Sequence, residues 1–136
     1  MTDVFCQIAS GEVSAAVVTR TDNLIAFLDH RPVFKGHTLI APIRHIDTLL
    51  DLPSTLMTPL LSLTQQVAGA LVDALGAQGS FVAINNVVSQ SVPHLHLHVV
   101  PRTKGDGLRG FFWPRTKYAD DAERAAYGAR LRAALG

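Results

Sequence analysis

The chain has a single cysteine, Cys6, and therefore no means of forming an internal disulfide, so a cytoplasmic setting is expected. It also lacks an excess of charge of either sign. Twelve Lys and Arg stand against eleven Asp and Glu, for a formal net charge of +1, and so small a balance gives no overall field for nucleic acid. Any preference for anions must be local. No apolar stretch approaches the roughly 18 residues of a membrane span. Asp3 and Glu12 stand near the start of the chain, where a secretory leader would need a basic segment followed by an apolar run. Neither secretion nor membrane insertion is expected. Repeats and low-complexity linkers are missing too. What remains is a chain of 136 residues with 48% hydrophobic and 17% charged content, which predicts one globular domain over residues 1–136.

The apolar pattern predicts an α+β fold, an antiparallel sheet of about five strands with one long helix and a C-terminal helix. Phe5 to Ala9 reads as a short turn or helix closed by Ser10-Gly11. Ala15 to Arg20 and Leu24 to Leu28 are apolar runs split by Thr21-Asp22-Asn23, the signature of a hairpin. Pro32 and Gly36 mark a loop, and Thr38 to Pro42 reads as the third strand. Leu56, Leu60, Leu63, Val67, Leu71 and Leu75 then recur at three- and four-residue steps between Pro53-Ser54 and Gly76. That is the long helix, with Pro59 expected to delay its start to Thr58. Phe81 to Asn85 and Leu95 to Pro101 complete the sheet, and strands on both sides of one helix fit α+β. After a glycine-bearing loop from Lys104 to Gly110 come Phe111-Phe112-Trp113-Pro114, expected to pack in a core or interface. Asp120 to Leu135 reads as a terminal helix with Tyr127, Leu131 and Leu135 as its buried stripe, weakened by Gly128.

Half of the six histidines fall within five positions, in Pro93-His94-Leu95-His96-Leu97-His98-Val99-Val100-Pro101. On a strand, alternation puts the three imidazoles on one face and Leu95, Leu97 and Val99 on the other. Such a row has three readings. It could be the polar face of a half-exposed strand, although Thr, Lys or Glu would serve that purpose as well. It could be a metal site, but alternate residues lie roughly 6.6 Å apart along a flat strand, while zinc needs nitrogens at about 2.0–2.1 Å. Or it could be a nucleophilic histidine flanked by two others that bind an anionic substrate, which asks for a row and not a convergence. The third reading fits best.

These residues resemble the signature of the histidine triad nucleotide hydrolases and transferases, in which three histidines alternate with apolar residues. The resemblance extends through Phe5-Cys6-Gln7-Ile8, Ala26-Phe27-Leu28-Asp29, Gly36-His37-Thr38-Leu39-Ile40-Ala41-Pro42, Arg44-His45-Ile46 and Pro101-Arg102, in the expected order. It covers a core of about residues 4–104 and leaves about 105–136 as an extension.

The resemblance implies an enzyme acting at the α-phosphate of a nucleoside phosphoramidate or a dinucleoside polyphosphate. His96 would be the nucleophile that forms a nucleotidyl-histidine, with His94 and His98 orienting it and contacting phosphate oxygens. His45 matches a histidine near that cluster, or else caps a surface turn. Asp29 matches a ribose-binding position, where a carboxylate can accept two hydrogen bonds, and otherwise reads as a turn residue. Asn85, Gln90 and Ser91 match positions that touch phosphate or the leaving group. Their neutral donors suit that task, and an ordinary polar loop is the other reading. Phe5, Ile8 and Phe27 match the pocket around a purine base, or are simple core residues. Between Asn85 and Ser91 the chain departs from the family's usual pattern: a Gly-containing stretch is shortened, and Ser89 stands where Gly is common. Some relatives carry a structural zinc on a Cys-x-x-Cys pair and two histidines. With Ala at position 9, only Cys6, His45 and His94 are counted, so no metal and no cofactor are expected. His30 and His37 receive no role.

Two branches of the family fit. Phe5-Cys6-Gln7-Ile8, Gln90-Ser91-Val92 and Trp113-Pro114 resemble the purine nucleoside phosphoramidases, whereas His98 to Arg102 and Lys104-Gly105-Asp106 resemble the dinucleoside polyphosphate hydrolases. The expected partners are a purine nucleotide and a second copy of the chain in a homodimer, with neither nucleic acid nor membrane. Two other classes are separable by experiment: a non-catalytic nucleotide-binding regulatory module, which would bind without turnover, and a metal-dependent hydrolase, which a chelator would silence.

Overall fold

The computed structural model describes residues 3–108 and 115–136 and divides the chain into two compact units, Met1–Asp106 and Gly107–Gly136. Helix α1 (Val4–Ser10) is started by Asp3, whose Oδ1 accepts from the backbone N–H of Cys6 at 2.9 Å. It ends at Gly11, whose φ of 86° is the left-handed cap conformation. Strands β1 (Val17–Arg20) and β2 (Leu24–Leu28) form the hairpin, closed by Thr21, whose hydroxyl accepts from the N–H of Leu24 at 3.0 Å. Strands β3 (Thr38–Pro42), β4 (Gly79–Ile84) and β5 (Leu97–Arg102) complete an antiparallel sheet of order β1-β2-β3-β5-β4. The α+β class and the five-stranded sheet expected from the sequence are both present.

Alternation along the strands sorts the core into two sets. Leu24, Ala26, Ile40, Leu97 and Val99 face helix α2 (Ser54–Leu75) and pack with its Leu60, Leu63, Val67 and Leu71. Ile25, Phe27, Leu39 and Ala41 face the other way and pack with Phe5 and Ile8 of α1. The long helix thus covers one face of the sheet, and the short helix covers part of the other.

Helix α2 begins at Ser54, not Thr58, and carries Pro59 inside it. The proline is exposed, and the carbonyl that its missing N–H would have met belongs to Thr55, also exposed, where water can serve it. Leu75, beside the terminating Gly76, is exposed.

In the second unit, α3 (Asp121–Leu135) is capped by Asp120, whose Oδ1 accepts from Glu123 N at 2.8 Å. The burial expected along this helix is not found: Tyr127, Leu131 and Leu135 are all exposed. Local terms hold the helix instead, namely the cap, the Arg124–Asp121 ion pair, and Arg130 placed 4.5 Å over the ring of Tyr127. The Phe111–Pro114 cluster, including Trp113, lies outside the described residues.

Candidate active site

The histidine row sits where β5 begins. Ladder pairing with β3 and β4 reaches only Leu97, opposite Ile40 and Ile84. One turn of register earlier, Leu95 N–H has already left the sheet and donates to the carbonyl of Ile46 at 2.6 Å. His94 and His96 therefore precede the strand, which begins two residues later than its sequence suggested. The sidedness holds nonetheless: Leu95, Leu97 and Val99 are buried in the α2 core.

The three imidazoles have different surroundings. His94 is fully buried. Its Nε2–H donates to the carbonyl of Pro42 at 2.7 Å, and its Nδ1 faces the Asp3 carboxylate at 3.0 Å and the Cys6 sulfur at 3.5 Å. His96 donates through Nδ1–H to the carbonyl of His94 at 2.7 Å, so its Nε2 keeps a lone pair. Its ring meets the ring of Phe5 edge to face at 4.8 Å and lies 5.0 Å from that of His98. His98 in turn pairs its Nδ1 with Nε2 of His37 at 2.9 Å.

Burial favours the neutral form of His96, His98 and His37. It pushes His96 below the ordinary histidine value, against the opposing pull of the bond to the His94 carbonyl. It lowers His98 to about 4, with the neighbouring His96 and His37 adding to the shift. His37 is lowered by burial as well, partly offset by Asp29.

Beside the row lies a cavity of about 660 Å³, a size that holds a small-molecule ligand. Of the residues singled out from the sequence, His96, His98, Asp29, Ser91, Phe5, Ile8 and Phe27 line it. Asp29 Oδ1 accepts from the N–H of Arg31 at 2.9 Å, and its Oδ2 lies 3.8 Å from Nδ1 of His37. His94, His45, Asn85 and Gln90 are not among the lining residues. Gln90 has its amide engaged, accepting from Val87 N–H of its own loop at 3.1 Å and donating to the Asp47 carbonyl of an earlier segment at 2.6 Å. Asn85 is exposed at the end of β4. Leu39, Ala15 and Val92 add apolar wall that sequence reasoning did not single out.

His37, given no role from the sequence, is a neighbour of the row that the sequence reading missed. It opens β3, is 61 positions from His98, and only the β3–β5 pairing brings the two together. Asp3 was missed too. Its Oδ2 lies 2.8 Å from Nδ1 of His45 and 3.0 Å from Nδ1 of His94, while Nε2 of His45 meets Asp47 at 2.6 Å. Burial alone would raise the Asp3 carboxyl, but the Cys6 N–H and the His94 ring together draw it below its ordinary carboxylate value. The count of three metal donors therefore omitted one. Asp3, Cys6, His45 and His94 present four ligand atoms within 4.8 Å of one another. Each histidine turns its outer nitrogen to a carbonyl or carboxylate, which is the outer support that zinc-bound histidines have. This donor set fits zinc. In a second grouping, of Asp29, His37 and His98, the facing histidine nitrogens are spent on each other.

Fold and site together define an α+β protein in which two histidines of the row, His96 and His98, border a cavity of ligand size. Residues 10–105 match the model of the HIT domain, so the chain belongs to the HIT, or histidine triad, family. An uncharacterized HIT-like protein of Mycobacterium tuberculosis is 36% identical over 97% of this chain and 92% of its own length. The adenosine 5'-monophosphoramidase of Schizosaccharomyces pombe is 30% identical, over 84% of each chain. Among solved structures, a Streptococcus mutans protein superposes with a TM-score of 0.89 at 29% identity, covering 100% of this chain and 87% of the other. A zinc-bound histidine triad family protein from Mycobacterium smegmatis is 36% identical, with a TM-score of 0.76 and 98% of each chain covered. Among the described residues no helix is long and apolar enough to cross a membrane.

Proposed function

We propose that the protein is a nucleotide hydrolase or transferase that works through a nucleotidyl-histidine on His96, with a purine nucleoside phosphoramidate or dinucleoside polyphosphate as substrate. The observation that carries this reading is the 2.7 Å bond from His96 Nδ1–H to the His94 carbonyl, which leaves the Nε2 lone pair for a ligand in the cavity that His96 lines. In the first step that lone pair forms a bond to the α-phosphorus. The bond from phosphorus to the leaving nitrogen or oxygen breaks, and the leaving group departs with the electron pair and takes a proton from solvent water. In the second step water attacks the same phosphorus and gives up a proton to solvent, His96 departs with the electron pair of its bond to phosphorus, and the nucleoside monophosphate is released. Splitting displacement in two lets an imidazole held in one tautomer do the work.

The neighbours divide the remaining tasks. His98 offers a donor to a phosphate oxygen, and His94 acts through its backbone carbonyl on the orientation of His96. Asp29 takes the ribose hydroxyls, Ser91 a phosphate oxygen, and Phe5, Ile8 and Phe27 the base. Gln90 and Asn85 serve the shape of the loop around the leaving group. His45 supports His94 through Asp3. Zinc, where it is bound, would be held by Asp3, Cys6, His45 and His94, and its chemistry there is structural, because four protein ligands close the coordination shell. The S. pombe relative acts on an adenosine phosphoramidate, which favours the phosphoramidase branch.

The test is to incubate the protein with an adenosine phosphoramidate and a diadenosine polyphosphate in parallel, with and without chelator. AMP released from one of them supports the reading and identifies the branch. Nucleotide binding with no release from either would replace it with a regulatory binding module, and turnover lost in chelator while circular dichroism shows the fold unchanged would replace it with metal-dependent hydrolysis. The same reading includes a homodimer in the cytoplasm, and sizing chromatography checks the dimer.

A further inference from the structure

Two imidazoles that face each other at hydrogen-bond distance leave open which one donates. Here the surroundings decide. His37 is 3% exposed, and its Nδ1 lies 3.1 Å from the backbone N–H of Val33, a group that can only donate. Nδ1 of His37 must therefore accept and carry no proton. A neutral imidazole then holds its proton on the other nitrogen, so His37 Nε2–H donates to His98 Nδ1 across 2.9 Å. The Asp29 carboxylate does not compete for this ring, since it stands 3.8 Å from Nδ1 of His37, beyond hydrogen-bond reach. With Nδ1 of His98 accepting, the proton of that ring must be on Nε2.

We infer that His37 is a positioning residue that fixes the tautomer of His98, so that His98 meets the substrate with an Nε2–H donor. The relay runs from the Val33 amide in the loop before β3, through His37, to His98 on β5. It is the reverse of the arrangement one residue pair earlier, where His96 keeps its proton on Nδ1 and its lone pair on Nε2. Two adjacent rings with centroids 5.0 Å apart are thereby set to opposite roles, one offering a lone pair and the other a proton in a hydrogen bond. If His98 held the other tautomer, two lone pairs would face the anionic substrate side by side. The β3–β5 register, with Leu39 opposite His98, keeps His37 and His98 at this distance. The donor's use, an oxygen or leaving atom of a phosphate ester or amide, rests on the function proposed above, whereas the tautomer itself does not.

Long-range proton–nitrogen NMR on the uniformly nitrogen-15-labelled full chain, free of substrate and at neutral to mildly alkaline pH, reads the tautomers directly. His98 is expected to show a protonated Nε2 and a bare Nδ1, with His96 the reverse. A protonated Nδ1 on His98, or rapid averaging of its two tautomers, overturns the inference. Kinetics of two variants at His37 then separate positioning from folding. His37→Phe removes the group that holds the tautomer and is expected to lower kcat by about 10- to 100-fold with KM changed less than about 3-fold, less than the roughly 100- to 1000-fold of losing an aligned donor outright, because His98 still samples the productive tautomer. His37→Gln, which can place an amide N–H near the same point, is expected to restore kcat to within about 5-fold. Equal losses in both variants, or a loss expressed in KM alone, count against it. Should His37→Phe fail to fold, the wild-type spectrum and the His37→Gln kinetics still decide. Tautomers as stated with no turnover of either nucleotide substrate would leave the relay standing and defeat the proposed reaction.

Discussion

The carboxylate of Asp3 lies 3.0 Å from Nδ1 of His94, 91 positions later in the chain, and its other oxygen caps α1 through the N–H of Cys6. One side chain thus ties the first helix to the foot of the histidine row. Asp3→Asn keeps a capping oxygen but gives up the charge facing His45 and His94. Asp3→Ala gives up both. Without added metal, urea unfolding is expected to show a loss of about 1–3 kcal/mol for Asp3→Asn and roughly 1 kcal/mol more for Asp3→Ala. Equal stability of the wild type and both variants would show that the carboxylate holds nothing.

The depressed histidines make the fold sensitive to acid in a defined direction. His98 titrates at about 4 in the folded chain against an ordinary 6.5, with His96, His37 and Asp29 as the groups facing it. Between those two values the unfolded chain binds a proton that the folded chain does not. Its contribution to stability is therefore complete above about pH 6.5, is lost as the pH falls to about 4, and changes no further below that. His98 is partly open to solvent, which screens the effect, so the loss expected from this residue is about 1–2 kcal/mol. Urea midpoints measured across that range should fall with pH in the wild type and fall less steeply in His98→Gln. An identical slope in the two proteins would contradict the assignment.

The loop before the row carries backbone strain that a substitution can release. Val87 has φ of 67° and Ser89 of 62°, in the left-handed region that disfavours side chains and most of all β-branched ones. Val87 is exposed and buries little that a glycine would lose. Val87→Gly is expected to raise stability by about 0.5–1 kcal/mol, the relief of strain exceeding the added freedom of the unfolded chain. Thermal unfolding checks this, and a lower midpoint would mean that the Val87 side chain makes contacts worth more than its strain.

Much of this site was legible because its signals are local. Alternation at a period of two placed Leu95, Leu97 and Val99 in the core, and the spacing of Leu60, Leu63, Val67 and Leu71 placed α2 over them. The glycine at position 76 marked the end of that helix correctly. What the sequence did not show depends on contacts between distant segments. His37 acquires its partner through strand pairing, and Asp3 reaches His94 through the packing of α1. Gln90 has the donors suited to phosphate, but its amide N–H is already given to the Asp47 carbonyl of a distant segment and its oxygen to Val87 of its own loop, and residue type alone carries no sign of that. The stripe on α3 failed for a related reason: an apolar spacing records which residues share a face, not whether anything covers it.

The central claim is that His96 Nε2 becomes bonded to phosphorus. Rapid acid quench during turnover of an adenosine phosphoramidate, followed by mass spectrometry of peptides spanning residues 93–102, tests it directly. The account predicts an adenylyl adduct on His96 that forms and decays with AMP release, and that is missing in His96→Ala. AMP release at the wild-type rate from His96→Ala, or an adduct on a different residue, would contradict it.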